Sequence, residues 1–144
     1  MKEKMRLSLR GIDLDIPESW EVRSKPELTE IVPPSAAGAL HMTFLRRRMP
    51  TAPSNHDASL LVENLAQNAE LKRAGPIRAA MVNAQQSKAV GRFVPTALSA
   101  DTPRLWLVGA LVWQEGAVQV TYCTDSEDAD WREAMRIVDT IRRS

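Results

Sequence analysis

Among its 144 residues the chain has one cysteine, two histidines, six glycines and only seven aromatic side chains (four Trp, two Phe, one Tyr). Each scarcity excludes something. A lone cysteine cannot close an internal disulfide, so nothing ties the chain to an oxidising compartment. His41, His56 and Cys123 are too few and too widely spaced for a zinc site. The glycines stand singly, at Gly11, Gly38, Gly75, Gly91, Gly109 and Gly116, so there is no phosphate-cradling loop, and no cofactor is expected. A surplus of one charge is missing too: 19 basic residues face 18 acidic ones, which argues against nucleic acid or an anionic membrane as the main partner. RNA binding would also want exposed rings on a sheet, and rings are scarce. The longest apolar run, Leu105–Trp113, falls well short of the ~20 residues that span a bilayer, so no membrane insertion is expected. Met1-Lys2-Glu3-Lys4-Met5-Arg6 carries charge with no apolar stretch behind it; the expectation is no secretory signal and a cytoplasmic protein.

What remains is an ordinary globular composition, 44% hydrophobic and 26% charged, which excludes disorder. The length fits one domain, 1–144, burying about 68–70% of its unfolded surface. Period-two alternation at Met5, Leu7, Leu9 and again at Ile12, Leu14, Ile16 predicts two strands joined at Arg10-Gly11. Leu28–Val32 and Leu40–Phe44 predict two more, the second running into Arg46-Arg47-Arg48. A connection follows over Met49–Asn55. Asp57 as N-cap then opens a helix that should run until Gly75-Pro76, with Lys72 and Arg73 in its last turn. Strands are expected over Ile77–Asn83 and Lys88–Val94, a polar loop over Pro95–Pro103, and a hairpin of Arg104–Gln114 with Ala117–Thr124. Because Leu105–Trp113 is apolar throughout, it reads as a central strand covered on both faces, with Trp106 and Trp113 pointing opposite ways. Thr124 and Glu127 suggest a capping box for a closing helix, with Trp131, Ala134, Met135, Val138 and Ile141 as its inward stripe and Arg142-Arg143 in its last turn. The fold class expected is α+β: a three-layer α/β/α sandwich with a mostly antiparallel sheet.

Catalytic constellations are thin. Cys123 lies within a strand, where a free cysteine is usually a small buried hydrophobe. The acids Asp125, Glu127, Asp128, Asp130 and Glu133 lack the glycine and ligand spacing of a calcium loop and suit the positive end of a helix dipole. Arg46-Arg47-Arg48 is the one basic run, and at a strand end it reads as a solvated corner. Trp20, just after the Pro17 turn, is expected to line a cleft between the first strands and the sheet, where large apolar side chains on an incompletely covered face would make a binding groove.

The segment Ile12-Asp13-Leu14-Asp15-Ile16-Pro17-Glu18-Ser19-Trp20, an alternating strand ending in Ile-Pro and followed by Trp, resembles the opening of the Mog/PsbP-like family, which contains the Ran-binding Mog protein and the photosystem PsbP subunit. The closing helix with Trp131 and Ile137-Val138-Asp139-Thr140-Ile141 is similar as well, and the order of elements agrees over nearly the whole chain. The resemblance implies an antiparallel sheet between helical layers. Within that superfamily, a chain of this length without a leader resembles the effector-associated (Eag) chaperones of type VI secretion. That resemblance implies a cytoplasmic, non-enzymatic homodimer that shields hydrophobic segments of secreted effectors on an apolar sheet face. In that family an apolar strand closely follows the Pro-x-x-Trp turn and a serine; here Ser24 is followed by Lys25-Pro26-Glu27, and apolar residues resume at Leu28, Ile31 and Val32.

The leading expectation is therefore a non-enzymatic protein-binding module, a chaperone or adaptor whose partner lies in a groove of Trp20, Leu28, Ile31, Met42, Phe44 and Trp106. A rival is a small-molecule-binding protein or small enzyme with a pocket near His41, Arg46 and Arg48. A third is a structural or immunity-type partner recognised through a charged patch.

Overall fold

The computed structural model describes residues 3–48, 50–97 and 99–144. The expected leaderless start and the connections over 49–55 and 95–103 include Met1, Lys2, Met49 and Leu98, which lie outside the described residues. Strands β1 (Lys4–Leu9) and β2 (Ile12–Pro17) form the expected hairpin. Its turn needs two left-handed residues, and Arg10 (φ 50°) and Gly11 (φ 81°) supply them. A strand not foreseen, β3 (Glu21–Ser24), pairs with β4 (Thr29–Val32). Lys25-Pro26-Glu27 is thus a hairpin turn, closed by the Lys25 N–H donating to the Leu28 carbonyl at 2.9 Å, and Leu28 falls just outside β4. β5 (Leu40–Arg46) follows.

Helix α1 (Asn55–Asn68) starts two residues before Asp57. Ser54 is the N-cap: its Oγ accepts from the Asp57 N–H at 3.1 Å, while the Asp57 carboxylate accepts from the Ser54 N–H at 3.2 Å. The helix also ends earlier than the sequence predicts. Glu70 turns left-handed (φ 57°), which frees Leu71–Arg73 to form β6, so Lys72 and Arg73 lie in a strand rather than a last helical turn. Then come β7 (Arg78–Asn83), β8 (Gln86–Pro95), β9 (Leu105–Val112) and β10 (Gly116–Thr124). Thr124 stays in β10, paired with Leu105, so it caps nothing. Helix α2 (Ala129–Thr140) is capped instead by Asp128, whose carboxylate accepts from the Trp131 N–H at 3.0 Å. Arg142–Arg143 form β11, pairing with β2 at Asp13 and Ile12, rather than closing the helix.

The main sheet runs β3-β4-β5-β10-β9-β8-β6, with β7 also on β8, and every pairing is antiparallel. Side-chain parity along β9 explains the layers. Val108, Ala110 and Val112 point into a core under α1 with Ala58, Val62 and Ala66. Leu107 and Leu111 point the other way, into a larger core with Trp131, Ala134, Ile137 and Val138 of α2. Trp106 packs on the first of these and Trp113 on the second. The sandwich is α+β with two helices on a large antiparallel sheet, and the small sheet β1-β2-β11 shares the outer layer of α2, contributing Ile12, Leu14 and Ile16.

Tyr122, the single tyrosine, lies between Trp20 and Trp131, with ring centroids 6.4 and 6.3 Å away. Burial, helped by Asp130 and Asp128, pushes its phenol up to about 12. The unfolded chain ionises near the ordinary value of about 10, so the folded state holds the proton more tightly. The stability this contributes is complete below about pH 10 and is lost as pH rises towards 12. Tyrosinate absorbance of the folded chain is therefore expected to have its midpoint near 12, against about 10 in denaturant. A folded midpoint near 10 places the ring in water.

Candidate functional site

The outer layer that contains α2 is narrower than the sheet beneath it. β7 and β8 extend past the helix, and the step between them is a cleft of about 1090 Å³. One wall is a second stripe of α2: Arg132, Met135, Arg136 and Asp139 recur at helical spacing on the side away from the core. Opposite, period-two alternation brings Arg78 and Ala80 of β7 beside Val90 and Lys88 of β8, with Val82 at the bulge that ends the regular ladder, Arg92 further along β8 and Leu107 of β9 also in the lining. Met135 was expected in the inward stripe. It is instead 42% exposed, and Ile137 takes the core position. Met81 and Val82 are exposed to a similar degree, so apolar surface is open at both walls.

The cleft is basic. Arg92 is satisfied, paired with Glu127 and with its guanidinium 5.8 Å from the Trp131 ring centroid. Arg136 reaches Glu133 at 3.8 Å. Lys88 has no carboxylate within salt-bridge range among the described residues; its Nζ donates to the Asp139 backbone carbonyl at 2.7 Å. Burial pushes the Lys88 ammonium below its ordinary value and Arg142 adds to this, while Asp139 opposes it. Arg132 likewise donates to a backbone carbonyl, that of Glu127, at 3.2 Å. Arg78 makes no ion pair among the described residues, and Asp139 is the one acid in the lining.

The six residues expected to form a groove do not share an open surface. Trp20, Ile31 and Met42 are at most 2% exposed, roofed within the larger core by the small sheet. Phe44 packs at the margin of that core, with the Arg10 guanidinium 5.2 Å from its ring centroid. Leu28 is half-buried at the β3–β4 turn. Trp106 is on the opposite face, under α1, its indole N–H donating to the Pro103 carbonyl at 3.1 Å. Strand parity separates it from Ile31, Met42 and Phe44.

His41 belongs to a polar stretch of the sheet that α1 leaves uncovered. Its Nε2 lies 3.9 Å from Glu30 Oε1, but Lys25 holds the same oxygen at 2.6 Å and keeps that carboxyl below its usual range. Arg46, at the far end of β5, lines a separate cavity of about 240 Å³ with Arg47, Asp57 and Leu61. Neither cavity takes in His41 or Arg48, so these residues do not converge. Cys123 shares the polar face with His41, which pairs across from Thr121. Its thiol is pushed up by burial and then by Asp125, the reverse of nucleophile activation. His56 is exposed in the first turn of α1. Among the described residues no group of three or more His, Cys, Asp or Glu side chains could hold a metal ion. No helix there is long and apolar enough to cross a membrane.

The architecture is Mog/PsbP-like: an α+β sandwich with this order of strands and helices. Among solved structures, cyanobacterial PsbP (CyanoP) from Synechocystis sp. PCC 6803 is similar at a TM-score of 0.69 and 9% identity, over 100% of this chain and 94% of that one. The Saccharomyces cerevisiae Ran-binding protein Mog1p is similar at a TM-score of 0.64 and 8% identity, over 99% of this chain and 96% of that one. At such identities the likeness is one of fold. No family model matches the sequence, and no curated protein matches it.

Proposed function

We propose that this chain is a non-enzymatic protein-binding module, a cytoplasmic chaperone or adaptor that holds a hydrophobic segment of a secreted partner. The docking site in this reading is the cleft between β7–β8 and α2, not the groove of Trp20, Ile31 and Met42, because those side chains have no surface to offer. One observation carries it: three of the exposed large apolar side chains among the described residues, Met81, Val82 and Met135, together rim a cleft large enough for several side chains. Met5 is a single exposed hydrophobic that needs no such account, and Leu45 and Leu60 line only the smaller cavity of about 240 Å³. The Ran-binding Mog1p shows that the fold is compatible with a protein partner. A homodimer remains part of the proposal through the Eag resemblance.

The test uses a photo-crosslinking residue in the full chain, expressed in its native host. Placed at Val82 it is expected to trap one defined protein, and Met135→Glu should cut that yield about tenfold, as loss of roughly 1.4 kcal/mol of binding would. The same crosslinker at Met5, away from the cleft, should trap none. Equal trapping at the two positions, or indifference to Met135→Glu, overturns the cleft as the docking site. A pocket chemistry at His41 is disfavoured by the separation of His41 from Arg46 and Arg48.

A further inference from the structure

The two edges of the main sheet are unlike. β3 is short and charged, with Arg23 paired to Glu21 at 3.0 Å, the usual protection against an added strand. β7, Arg78-Ala79-Ala80-Met81-Val82-Asn83, is longer, has no charge after Arg78 and pairs only with β8. All of its residues except Ala79 are exposed. A bulge between Met81 and Asn83 disturbs its hairpin end, which leaves Arg78–Met81 as the regular free edge. Along that edge one row of backbone N–H and C=O groups faces no strand. It borders the basic cleft, where Arg78 has no carboxylate and Lys88 and Arg132 bind only backbone carbonyls.

We propose that the cleft binds an extended partner segment of alternating acidic and apolar residues, added as a strand to the β7 edge. The proposal rests on the cleft being the docking site and adds the chemistry of what enters it. The free backbone row selects a peptide, since a lipid headgroup offers nothing that would continue a ladder. The unpaired cations select acids. Period two fixes the pattern: Arg78 and Ala80 point to the cleft and Ala79 and Met81 to the other face, so the added strand sets its acids on the cleft side, beside Arg78 and Ala80, and its apolar side chains on the other, beside Ala79 and the exposed Met81. A second copy of this chain fits poorly, because its own β7 brings another Arg78 and no acid.

Fluorescein-labelled peptides of about eight residues, enough to span the roughly 20 Å of β7, test this against the full chain by fluorescence anisotropy. The set alternates Glu with Val, and its controls carry Gln for Glu, Lys for Glu, or backbone N-methyl groups along one edge or the other. The Glu peptide is expected to bind, weakening as salt rises, and the Gln and Lys forms to bind at least about tenfold worse. Methylation along one edge should abolish binding and along the other should not. Arg78→Glu and Arg132→Glu, both changes at the cleft wall, should each cost about tenfold while leaving the circular dichroism unchanged. Binding of Gln and Glu peptides alike, tolerance of methylation on both edges, or indifference to Arg78→Glu overturns the proposal. So does Arg78-dependent binding of phosphatidylglycerol vesicles in place of peptide, or closure of the edge by dimerisation of the chain. If the crosslinker at Val82 traps its partner yet no acidic peptide binds, the docking site stands and the strand proposal falls. If both fail, both are wrong.

Discussion

Trp131→Ala is expected to destabilise the chain by about 3–5 kcal/mol, the cost of emptying a buried tryptophan site. The indole is 2% exposed and stands at the junction of three elements. It meets Tyr122 of β10 at 6.3 Å, tilted by 59°, and Tyr122 in turn meets Trp20 at 6.4 Å. The Arg92 guanidinium of β8 lies 5.8 Å from its ring centroid. The Asp128 cap is made to the Trp131 backbone N–H, so truncating the side chain leaves the helix start intact and isolates the packing loss. Since whole domains are stable by about 5–15 kcal/mol, this one change is a large part of the total. Trp106→Ala should cost clearly less, because that ring is only partly buried and belongs to the smaller core under α1. Urea unfolding of the two variants measures both, and a loss under about 1 kcal/mol for Trp131→Ala would put the indole outside the packed core.

The central layer was legible in the sequence because its signal is local. Leu105–Val112 is apolar on both parities, and a strand with that pattern has to be covered twice. The Mog/PsbP-like resemblance, read from Ile12–Trp20 and the closing helix, agrees with the fold found. Element ends were less legible, because several residues suit two roles. Asp57 is a good N-cap by type, yet Ser54 three residues earlier makes it the partner in a capping box. Arg142-Arg143 suit a helix C-terminus by charge, yet Ile141 turns into the core and carries them onto β2. Met135 and Ile137 both flank the stripe defined by Trp131, Ala134 and Val138, and periodicity alone does not choose between them. The choice is made by where the sheet beneath α2 extends. The cleft is illegible for the same reason: it arises from a mismatch between the width of the sheet and the width of its cover. The groove expected at Trp20, Ile31 and Met42 failed because nothing in those segments announces that the small sheet would roof them.

Gly109 links that packing to the cleft, and substitutions there separate two opposing effects. It lies in β9, facing α2, where an added Cβ would sit 3.3 Å from Val138 Cγ1 and 3.5 Å from Val120 Cγ2. Removing a glycine from a strand interior gains about 0.5–1 kcal/mol of backbone entropy. A single methyl asks Val138 to give by a few tenths of an ångström, so Gly109→Ala is expected to be close to neutral. Valine adds two further methyls to a site with no space for them, and overpacking of this kind costs about 1–3 kcal/mol. That outweighs the entropy gain, so Gly109→Val should be destabilising. The strain falls on Val138, one residue before Asp139 in the α2 wall, so relief by moving the helix outward alters the cleft. Gly109→Val is therefore expected to weaken capture at Val82 by several-fold in chain that is still folded, while Gly109→Ala leaves it unchanged. Equal stability of the two variants would show that α2 does not bear on β9 through Val138. Equal capture with unequal stability would show that the position of the helix does not set the binding site.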